Sequence, residues 1–301
     1  MPKKGVLTGC AIVAAAILLT LALLPAGRPT EKPPEAVTTD ATTGEGTVQQ
    51  NIFLPVVMYH SVIDNAGKVN DYVITPASFR ADMTYLQQQG YTTVFVQDIL
   101  DFIDTGVPLP DKPVLVTFDD GHFNVKEYIL PIMEEMDLKA IINVEGAFTE
   151  RSTQEQEHNP NYSYLTWEEV SQLRDSGYFE IGNHTYDMHD ASGKRAGCKI
   201  NPGESAEEYA AALMTDIGGL QNLLADRCSV TPITFAYPYG FVSDESMPVL
   251  QSMGFRVLLT CYEQPNYLNI APSSLVVLHR YNRSGTVSTE QFMEILLKQE
   301  Y

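Results

Sequence analysis

A short apolar run that ends in two carboxylates constrains the fold of this chain more than any other stretch. Val114–Phe118 contains only aliphatic, aromatic and threonine residues, and Asp119, Asp120 and Gly121 follow it directly. A continuous run of this kind indicates a strand buried on both faces, as in the parallel sheets of α/β proteins. Since the loops at the carboxyl ends of such strands converge on one cleft, the two aspartates are candidate functional residues. The alternative is an ordinary strand that ends in an Asp-Gly turn.

Strand-like and helix-like segments alternate from residue 52 to the C-terminus, and this alternation predicts the fold class. Apolar strand patterns occur near 55–59, 91–96, 114–118, 140–144, 178–182, 233–237, 256–260 and 275–279. Capping residues open helices between them, as at Thr75-Pro76 and Thr166–Glu169. Seven or eight strands alternating with helices predict an α/β fold, a distorted (β/α) barrel, with an open doubly wound sheet as the alternative. No Gly-x-Gly-x-x-Gly motif or P-loop follows any of these strands, which argues against a nucleotide as ligand.

Two segments near the middle and the end of the chain carry specific helix signals. The segment 125–136 contains Pro131, which is expected to kink a helix or to delay its start. A capping box at Ser288–Gln291 opens the last helix, whose Phe292, Ile295 and Leu296 are expected to face inward.

Two N-terminal segments are expected to lie outside the folded domain. Residues 1–24 contain two lysines followed by an uncharged run long enough to cross a bilayer. They predict a signal anchor and therefore a single-pass cell-membrane protein whose domain lies outside the cytoplasm; secretion after signal cleavage is the alternative. Residues 25–51 are rich in Pro, Thr, Glu and Gly, which predicts a disordered stalk. The folded domain is expected to span 52–301.

Charge and cysteine content limit the classes of partner. The chain has 38 acidic and 19 basic residues, a net charge of −19, which argues against nucleic acid and favours a neutral or cationic substrate. Outside the anchor, Cys198, Cys228 and Cys261 allow at most one disulfide and form no Cys-x-x-Cys metal motif.

Polar residues follow the ends of several predicted strands. His184 and His189 come after the strand at 178–182, and Tyr237–Gly240 end the strand at 233–237. One carboxylate with two imidazoles is a known ligand set for catalytic zinc that leaves a position open for water, and it also suits cobalt, manganese or iron. A lone histidine is more often structural, but two histidines after one strand and an aspartate pair after another favour a metal site.

Three motifs give the chain a family resemblance. Thr117–Gly121, His184-Thr185 with His189, and Ala236–Gly240 occur in the order and rough spacing of the polysaccharide deacetylases. This NodB-homology group, or carbohydrate esterase family 4, is matched over roughly residues 53–300. The resemblance implies a distorted (β/α) barrel and a metal-dependent hydrolase that removes N-acetyl groups from N-acetylglucosamine units of a cell-wall or exported polysaccharide.

The resemblance also implies roles for individual residues. Asp119 would be the catalytic base, and Asp120, His184 and His189 would bind Zn²⁺, Co²⁺, Mn²⁺ or another divalent metal. The backbone N–H of Tyr239 would contact the oxyanion. The expected partners are the polysaccharide and, through the anchor, the membrane; no nucleic acid or nucleotide is expected.

The chain departs from the family pattern at several positions. The two histidines are five residues apart, similar to the branch that deacetylates poly-β-1,6-N-acetylglucosamine. Ala236 stands where the family has an arginine that orients the base, and Trp167, the single tryptophan, does not match the family's Asp-Trp motif. His279 resembles the proton-donating histidine of the last family motif. The alternative is that the segment 279–283 is important for its Arg and Asn residues rather than for this histidine. His60 is expected to line the cleft or to be structural.

These departures leave three alternative functions open. The chain could be a non-catalytic glycan-binding domain that keeps the fold, or an esterase that removes O-acetyl groups from a glycan. A metal phosphohydrolase using the aspartate pair is the third, but the basic residues that phosphate recognition needs are missing near the motifs.

Overall fold

The computed structural model describes residues 51–192 and 195–299. The predicted anchor and, apart from Asn51, the predicted stalk lie outside the described residues. Within those two ranges, none of the helices has the length and apolar character needed to cross a bilayer. Cys198, Cys228 and Cys261 are free thiols.

Short strands alternate with helices, as the sequence predicts. The strands are β1 (Ile52–Leu54), β2 (Val56–Tyr59), β3 (Ser61–Val62), β4 (Val73–Ile74), β5 (Thr92–Thr93), β6 (Pro113–Phe118), β7 (Ala140–Val144), β8 (Phe179–Asn183), β9 (Thr234–Ala236), β10 (Val257–Leu259), β11 (Asn266–Leu268), β12 (Val276–Leu278) and β13 (Tyr281–Asn282). The α-helices are α1 (Pro76–Gln88), α2 (Val96–Thr105), α3 (Leu130–Met136), α4 (Gly146–Glu155), α5 (Trp167–Asp175), α6 (Ala206–Cys228), α7 (Ser246–Ser252) and α8 (Thr289–Leu296).

Eight strands form one curved parallel sheet. Their order is β12-β10-β9-β8-β7-β6-β2-β13, each neighbouring pair is parallel, and β5 pairs with the start of β6. The strands at the two ends of this path, β12 and β13, are consecutive in the chain and are separated by His279 and Arg280 alone. The chain itself therefore crosses the last gap of the barrel. The predicted distorted (β/α) barrel is confirmed.

The central strands are buried because helices cover them on the outside and the barrel closes on the inside. All six residues of β6 and all five of β7 are buried, as their largely apolar sequences predict, and the two polar side chains, Thr117 and Asn143, are buried with them. Arg283, directly after β13, forms a buried ion pair with Asp82 of α1, in which the Arg283 Nε donates to Asp82 Oδ2 at 2.7 Å. Tyr59 donates its hydroxyl to the same oxygen at 3.0 Å, so this pair ties β2, α1 and the end of the barrel together.

Near α2 and α3, the structure corrects one prediction and confirms one of the two alternatives of another. The strand expected over 91–96 is reduced to Thr92–Thr93, because Phe95 is the N-cap of α2 and Val96 is its first residue. Pro131 delays the helix rather than kinking it: residues 125–129 form a π-helical turn, and α3 begins at Leu130 with the proline in its first turn, where no N–H is needed.

Two further differences concern α4 and α8. The sequence analysis did not predict α4, which lacks an apolar face and buries only small residues such as Gly146 and Ser152. The prediction that Ile295 faces inward is wrong, since this side chain is 51 % exposed; Phe292 and Leu296 are buried as expected, and Met293 takes the remaining inward position.

Candidate metal centre

The two adjacent aspartates point to different environments because the backbone turns between them. Asp119 continues the strand path of β6, is buried, and donates its N–H to the Tyr59 carbonyl at 2.9 Å. Asp120 has a φ of 70° and Gly121 a φ of 71°, so both lie in the left-handed region. This turn separates the carboxylates and places Asp120 on the carboxyl edge of the barrel, the rim formed by the C-terminal ends of the parallel strands and the loops that follow them.

Asp120, His184 and His189 converge on one point of this edge. Asp120 Oδ1 lies 3.5 Å from His184 Nε2 and 3.2 Å from His189 Nε2. One ligand atom from each residue lies within 4.8 Å of the other two. The structure thus brings together the three residues that the motifs single out, and a borderline divalent cation suits their oxygen and two nitrogens.

The hydrogen bonds of His184 prepare it to donate a lone pair. Its Nδ1 lies 2.8 Å from the carbonyl oxygen of Ala236, a group that can only accept. The proton is therefore on Nδ1 and the lone pair on Nε2, which faces Asp120. Ala236, which stands in the place of the family arginine, supports the cluster through its backbone.

His122 is a site residue to which the sequence analysis assigned no role. Its Nε2 lies 3.4 Å from Asp120 Oδ2, the oxygen turned away from His184 and His189, and its ring stacks on Tyr164 at a centroid distance of 4.9 Å. His122 therefore fixes the rotation of the Asp120 carboxylate. Its position directly after the Asp-Asp-Gly turn was the available signal.

Arg280 supplies the contact that Ala236 cannot make. Its Nη1 and Nη2 donate to Asp119 Oδ1 and Oδ2 at 2.7 and 2.8 Å, and both side chains are buried. Asn143 donates its amide to Oδ1 at 2.8 Å. Burial alone would raise the pKa of Asp119, but the charge and hydrogen bonds of Arg280, with a contribution from His184, lower it to about 2. The Asp119 carboxylate is therefore oriented and ionised at neutral pH.

The structure shows different surroundings for His279, the candidate proton donor, and for His60, which is expected to line the cleft or to be structural. His279 Nδ1 lies 2.9 Å from Thr260 Oγ1, and the backbone groups of His279 are bound by the Asn266 side chain. His60 has a buried Nδ1 without a hydrogen-bond partner. Burial lowers the pKa of His60, while Asp120 and Asp119 act in the opposite direction, so this ring senses both site carboxylates.

Tyr239 lies over the cluster on a strained turn. Its ring centroid is 4.7 Å from that of His189, and its hydroxyl is 3.4 Å from His189 Nδ1. Tyr239 has a φ of 57°, and Thr185, directly after His184, has a φ of 74°. Positive φ is costly for residues other than glycine, and these two turns and the turn at Asp120 all adjoin the cluster of Asp120, His184 and His189. The remaining three such residues in the described ranges are C-caps of helices, where this conformation is common.

Comparison with known proteins identifies the family of this barrel and site. Residues 106–258, just over half of the chain, match the family model for polysaccharide deacetylases. The chain therefore belongs to the polysaccharide deacetylase family, the NodB-homology or carbohydrate esterase family 4 group that its motifs resemble.

The relatives in this family include named N-deacetylases. The poly-β-1,6-N-acetyl-D-glucosamine N-deacetylase of Escherichia coli K12 is 24% identical over 222 residues, covering 68% of this chain and 33% of that protein. Its namesake in Staphylococcus aureus MRSA252 is 22% identical over 192 residues, covering 64% of this chain and 62% of that protein. The chain thus spans a third of the first relative and less than two thirds of the second.

Solved structures show the same fold. IcaB from Ammonifex degensii matches with a TM-score of 0.66 at 24% identity, covering 83% of this chain and 97% of that chain. A de-N-acetylase from Aggregatibacter actinomycetemcomitans matches with a TM-score of 0.69 at 21% identity, covering 81% of this chain and 99% of that chain.

Proposed function

We propose that this protein is a metal-dependent N-deacetylase that releases acetate from N-acetylglucosamine units of a polysaccharide similar to poly-β-1,6-N-acetylglucosamine. The observation that carries the proposal is a buried, ionised Asp119 beside the cluster of Asp120, His184 and His189. The names of the relatives and the five-residue histidine spacing support this substrate class. The sequence-predicted anchor would hold the domain on the outer side of the cell membrane.

The proposed cofactor is Zn²⁺ or another divalent ion held by Asp120 Oδ1 and the Nε2 atoms of His184 and His189. These three donors leave coordination positions open, as in catalytic sites. A divalent ion bound there would supply Lewis-acid chemistry to the acetamide carbonyl and lower the pKa of a coordinated water.

Asp119 is proposed as the base that takes a proton from the attacking water. Of its two oxygens, Oδ1 accepts from both Arg280 and Asn143, whereas Oδ2 accepts from Arg280. Oδ2 therefore keeps more acceptor capacity and is the proposed proton-accepting atom. Arg280 holds this oxygen in place and keeps it ionised, at the expense of intrinsic basicity.

His60 is the proposed donor of the proton to the leaving amine. Its ring directly follows β2, and the charges of Asp120 and Asp119 favour its protonated form, against the burial that lowers its pKa. His279 is disfavoured because Thr260 occupies its Nδ1. The backbone N–H of Tyr239, on the strained turn beside His189, is the proposed contact for the oxyanion.

Arg280 bears on the alternative of a non-catalytic glycan-binding domain. That alternative depended on the missing arginine at position 236, and Arg280 makes a bidentate contact with the base from the closing link of the barrel. Its guanidinium is committed to Asp119, which also leaves it poorly placed to bind a phosphate.

Acetate release from β-1,6-linked N-acetylglucosamine oligomers tests the proposal. We expect release by the protein loaded with Zn²⁺, loss of release with a chelator, and recovery when Zn²⁺, Co²⁺ or Mn²⁺ is added back. The Asp119→Asn variant should bind metal normally and release acetate about 10²–10⁴-fold more slowly, since it loses the base. Near-normal turnover by this variant would remove Asp119 from its role. Preferential release from O-acetylated glycans would favour the esterase instead.

A further inference from the structure

The loop between the two histidines of the cluster determines whether both rings can reach one ion. His184 directly follows β8, so the sheet fixes its position, whereas His189 comes after the loop 185–188. The centroids of the two rings are nevertheless only 5.0 Å apart. Fixing the backbone of each loop residue costs conformational entropy, so a defined position for His189 requires contacts that hold the loop.

Asp216 of α6 binds the backbone of this loop. Its Oδ1 accepts the Tyr186 N–H at 2.8 Å, and its Oδ2 accepts the Asp187 N–H at 2.9 Å. The Met188 N–H is a third donor to this carboxylate. Hydrogen bonds to an ionised acceptor are roughly twice as strong as neutral ones. A single side chain thus holds three consecutive N–H groups, the last of which directly precedes His189.

The same turn of α6 also holds the start of the loop. Asn183, the last residue of β8, donates its side-chain amide to the Ile217 carbonyl at 3.0 Å and accepts the Thr185 N–H on Oδ1 at 2.9 Å. Thr185 has a φ of 74°, so this contact supports the turn that follows His184. Asp216 and Ile217 are adjacent in α6. Both ends of the loop are therefore bound to one point of one helix.

Helix α4 binds the carbonyl groups of the loop. The N–H groups of Gly146 and Ala147, the first two residues of this helix, donate to the carbonyl oxygens of Thr185 and Tyr186 at 3.0 and 2.8 Å. Such N–H groups at a helix N-terminus have no partner within the helix itself. A Cβ at Gly146 would lie 2.5 Å from Tyr186 Cδ2, so the loop packs directly on the start of α4. The helix that the sequence analysis did not predict therefore supports this loop.

We propose that Asp216 is a positioning residue of the metal centre, which holds the loop 185–188 so that His189 Nε2 reaches the ion bound by Asp120 and His184. This inference rests on the proposed function for the presence of the ion. It adds that metal affinity depends on a carboxylate of α6 that is not itself a ligand. Asp216 acts through the loop and takes no part in the proton transfers.

Zinc affinity tests the proposal without turnover. Asp216→Ala removes the acceptor of the loop N–H groups, and loss of a contact that supports a ligand typically weakens metal binding by about 10–100-fold. Asp216→Asn keeps one accepting oxygen, so its affinity should lie between those of Asp216→Ala and the wild type. Asp226→Ala is the matched control, because Asp226 is an exposed aspartate further along the same helix. Competition with a zinc-binding dye measures each affinity, and a wild-type affinity for Asp216→Ala would overturn the proposal.

A double-mutant cycle separates the positioning of His189 from a general effect on the fold. In the His189→Ala background, Asp216→Ala should weaken Zn²⁺ binding no further, because the side chain that the loop positions is absent. In the His184→Ala background the loss should persist, since His189 is still present. Equal losses in the wild-type and His189→Ala backgrounds would show that Asp216 acts on the fold as a whole, which contradicts the proposal.

The visible spectrum of bound Co²⁺ gives a second readout, because it depends on the number and geometry of the ligands. The spectrum of Asp216→Ala should shift toward that of His189→Ala, whereas the spectrum of Asp226→Ala should match the wild type. An unshifted spectrum for Asp216→Ala would contradict the positioning role. Neither measurement needs a substrate, so both separate this role from the proposed deacetylase activity: a wild type that binds Zn²⁺ and releases no acetate would contradict the proposed function alone.

Discussion

Arg280 and Asp119 form a bidentate ion pair inside the barrel, although they are 161 residues apart in the chain. Arg280 lies in the two-residue link between β12 and β13, the point at which the chain crosses from one end of the curved sheet to the other. Its Nε also donates to the Thr260 carbonyl at 2.9 Å, so the side chain spans the interior from the β10 end to the β6 end. The residue that closes the barrel therefore also orients the proposed base.

The Arg280–Asp119 pair predicts a large effect on stability. Arg280→Met leaves a buried carboxylate without its counter-ion, which costs about 3–5 kcal/mol of unfolding free energy. Arg256→Met is the matched control, because the Arg256–Asp104 pair is about one-third exposed and such pairs contribute about 0–1 kcal/mol. Urea denaturation of both variants measures the difference. Similar losses for the two arginines would contradict a special role for the buried pair, and Asp119→Asn combined with Arg280→Met should recover part of the loss.

The sequence predicts the parts of the site that depend on strand ends. Asp119 and Asp120 follow a nearly continuous apolar strand, and His184 follows a second strand that contains Glu180. Parallel strands bring their carboxyl ends to one edge, so the proximity of these residues could be expected from the pattern alone. His189 needed the family resemblance, because a five-residue spacing in a loop does not determine where the second ring points.

Other parts of the site depend on long-range geometry. Ala236 suggested that the base lacked an arginine, and nothing local shows that Arg280 reaches it, because that contact exists only once the barrel closes. The role of His122 depends on the turn at Asp120 and Gly121, whose positive φ values send the His122 side chain back toward the carboxylate. Ile295 was wrongly predicted to face inward, because the apolar pattern of α8 does not determine whether Ile295 or Met293 packs against the barrel.

His122 predicts an effect on metal affinity. It contacts Asp120 Oδ2 and so leaves Oδ1 facing His184 and His189, the two proposed ligand histidines. Loss of such a supporting contact typically weakens metal binding by about 10–100-fold, and we expect this for His122→Ala. The control is His158→Ala, since His158 is a loop histidine that binds Glu169 instead. Competition of each variant with a zinc-binding dye measures the affinity; an unchanged affinity for His122→Ala would show that Asp120 is held adequately without it.

Gly182 predicts a steric effect on the base. A Cβ at Gly182 would lie 2.0 Å from Asn143 Oδ1, on the neighbouring strand, and Asn143 donates to Asp119. Gly182→Ala should displace Asn143, reduce kcat by about tenfold and cost about 1–3 kcal/mol of stability, while metal content stays normal. Gly219→Ala, in the open middle of α6, is the control and should be neutral or slightly stabilising.

A double-mutant cycle with Asn143→Ala separates this mechanism from a general loss of packing. If Gly182→Ala acts by displacing Asn143, the double variant should have the same kcat as Asn143→Ala alone, because the Asn143 side-chain amide that the new Cβ would clash with is then absent. Fully additive losses in kcat would show that the glycine acts on some other neighbour.

Glu145 predicts a stability that depends on pH. This buried glutamate caps α4 by accepting the Phe148 N–H, and burial raises its pKa to about 8, with that hydrogen bond and His189 acting in the opposite direction. An unfolded glutamate ionises near its usual pKa of about 4.3, so between that pH and pH 8 the folded state holds a proton that the unfolded state has released. The unfolding free energy of the wild type should therefore fall as pH rises through this interval and level off above it.

Glu145→Gln removes this titration and keeps an oxygen for the cap. Its advantage over the wild type should be small near pH 4 and grow to the order of a few kcal/mol by pH 8, since one pKa unit corresponds to about 1.4 kcal/mol. Glu208→Gln is a control for which the opposite trend is expected, because capping contacts with Ser205 lower the pKa of this exposed carboxylate. At neutral pH the Glu208→Gln variant should therefore be less stable than the wild type. This difference in unfolding free energy should disappear in acid. Urea titrations from pH 4 to 9 on metal-free protein measure both trends. A Glu145→Gln advantage that does not change with pH would show that Glu145 is ionised in the fold throughout, and that the cap, rather than burial, determines its charge.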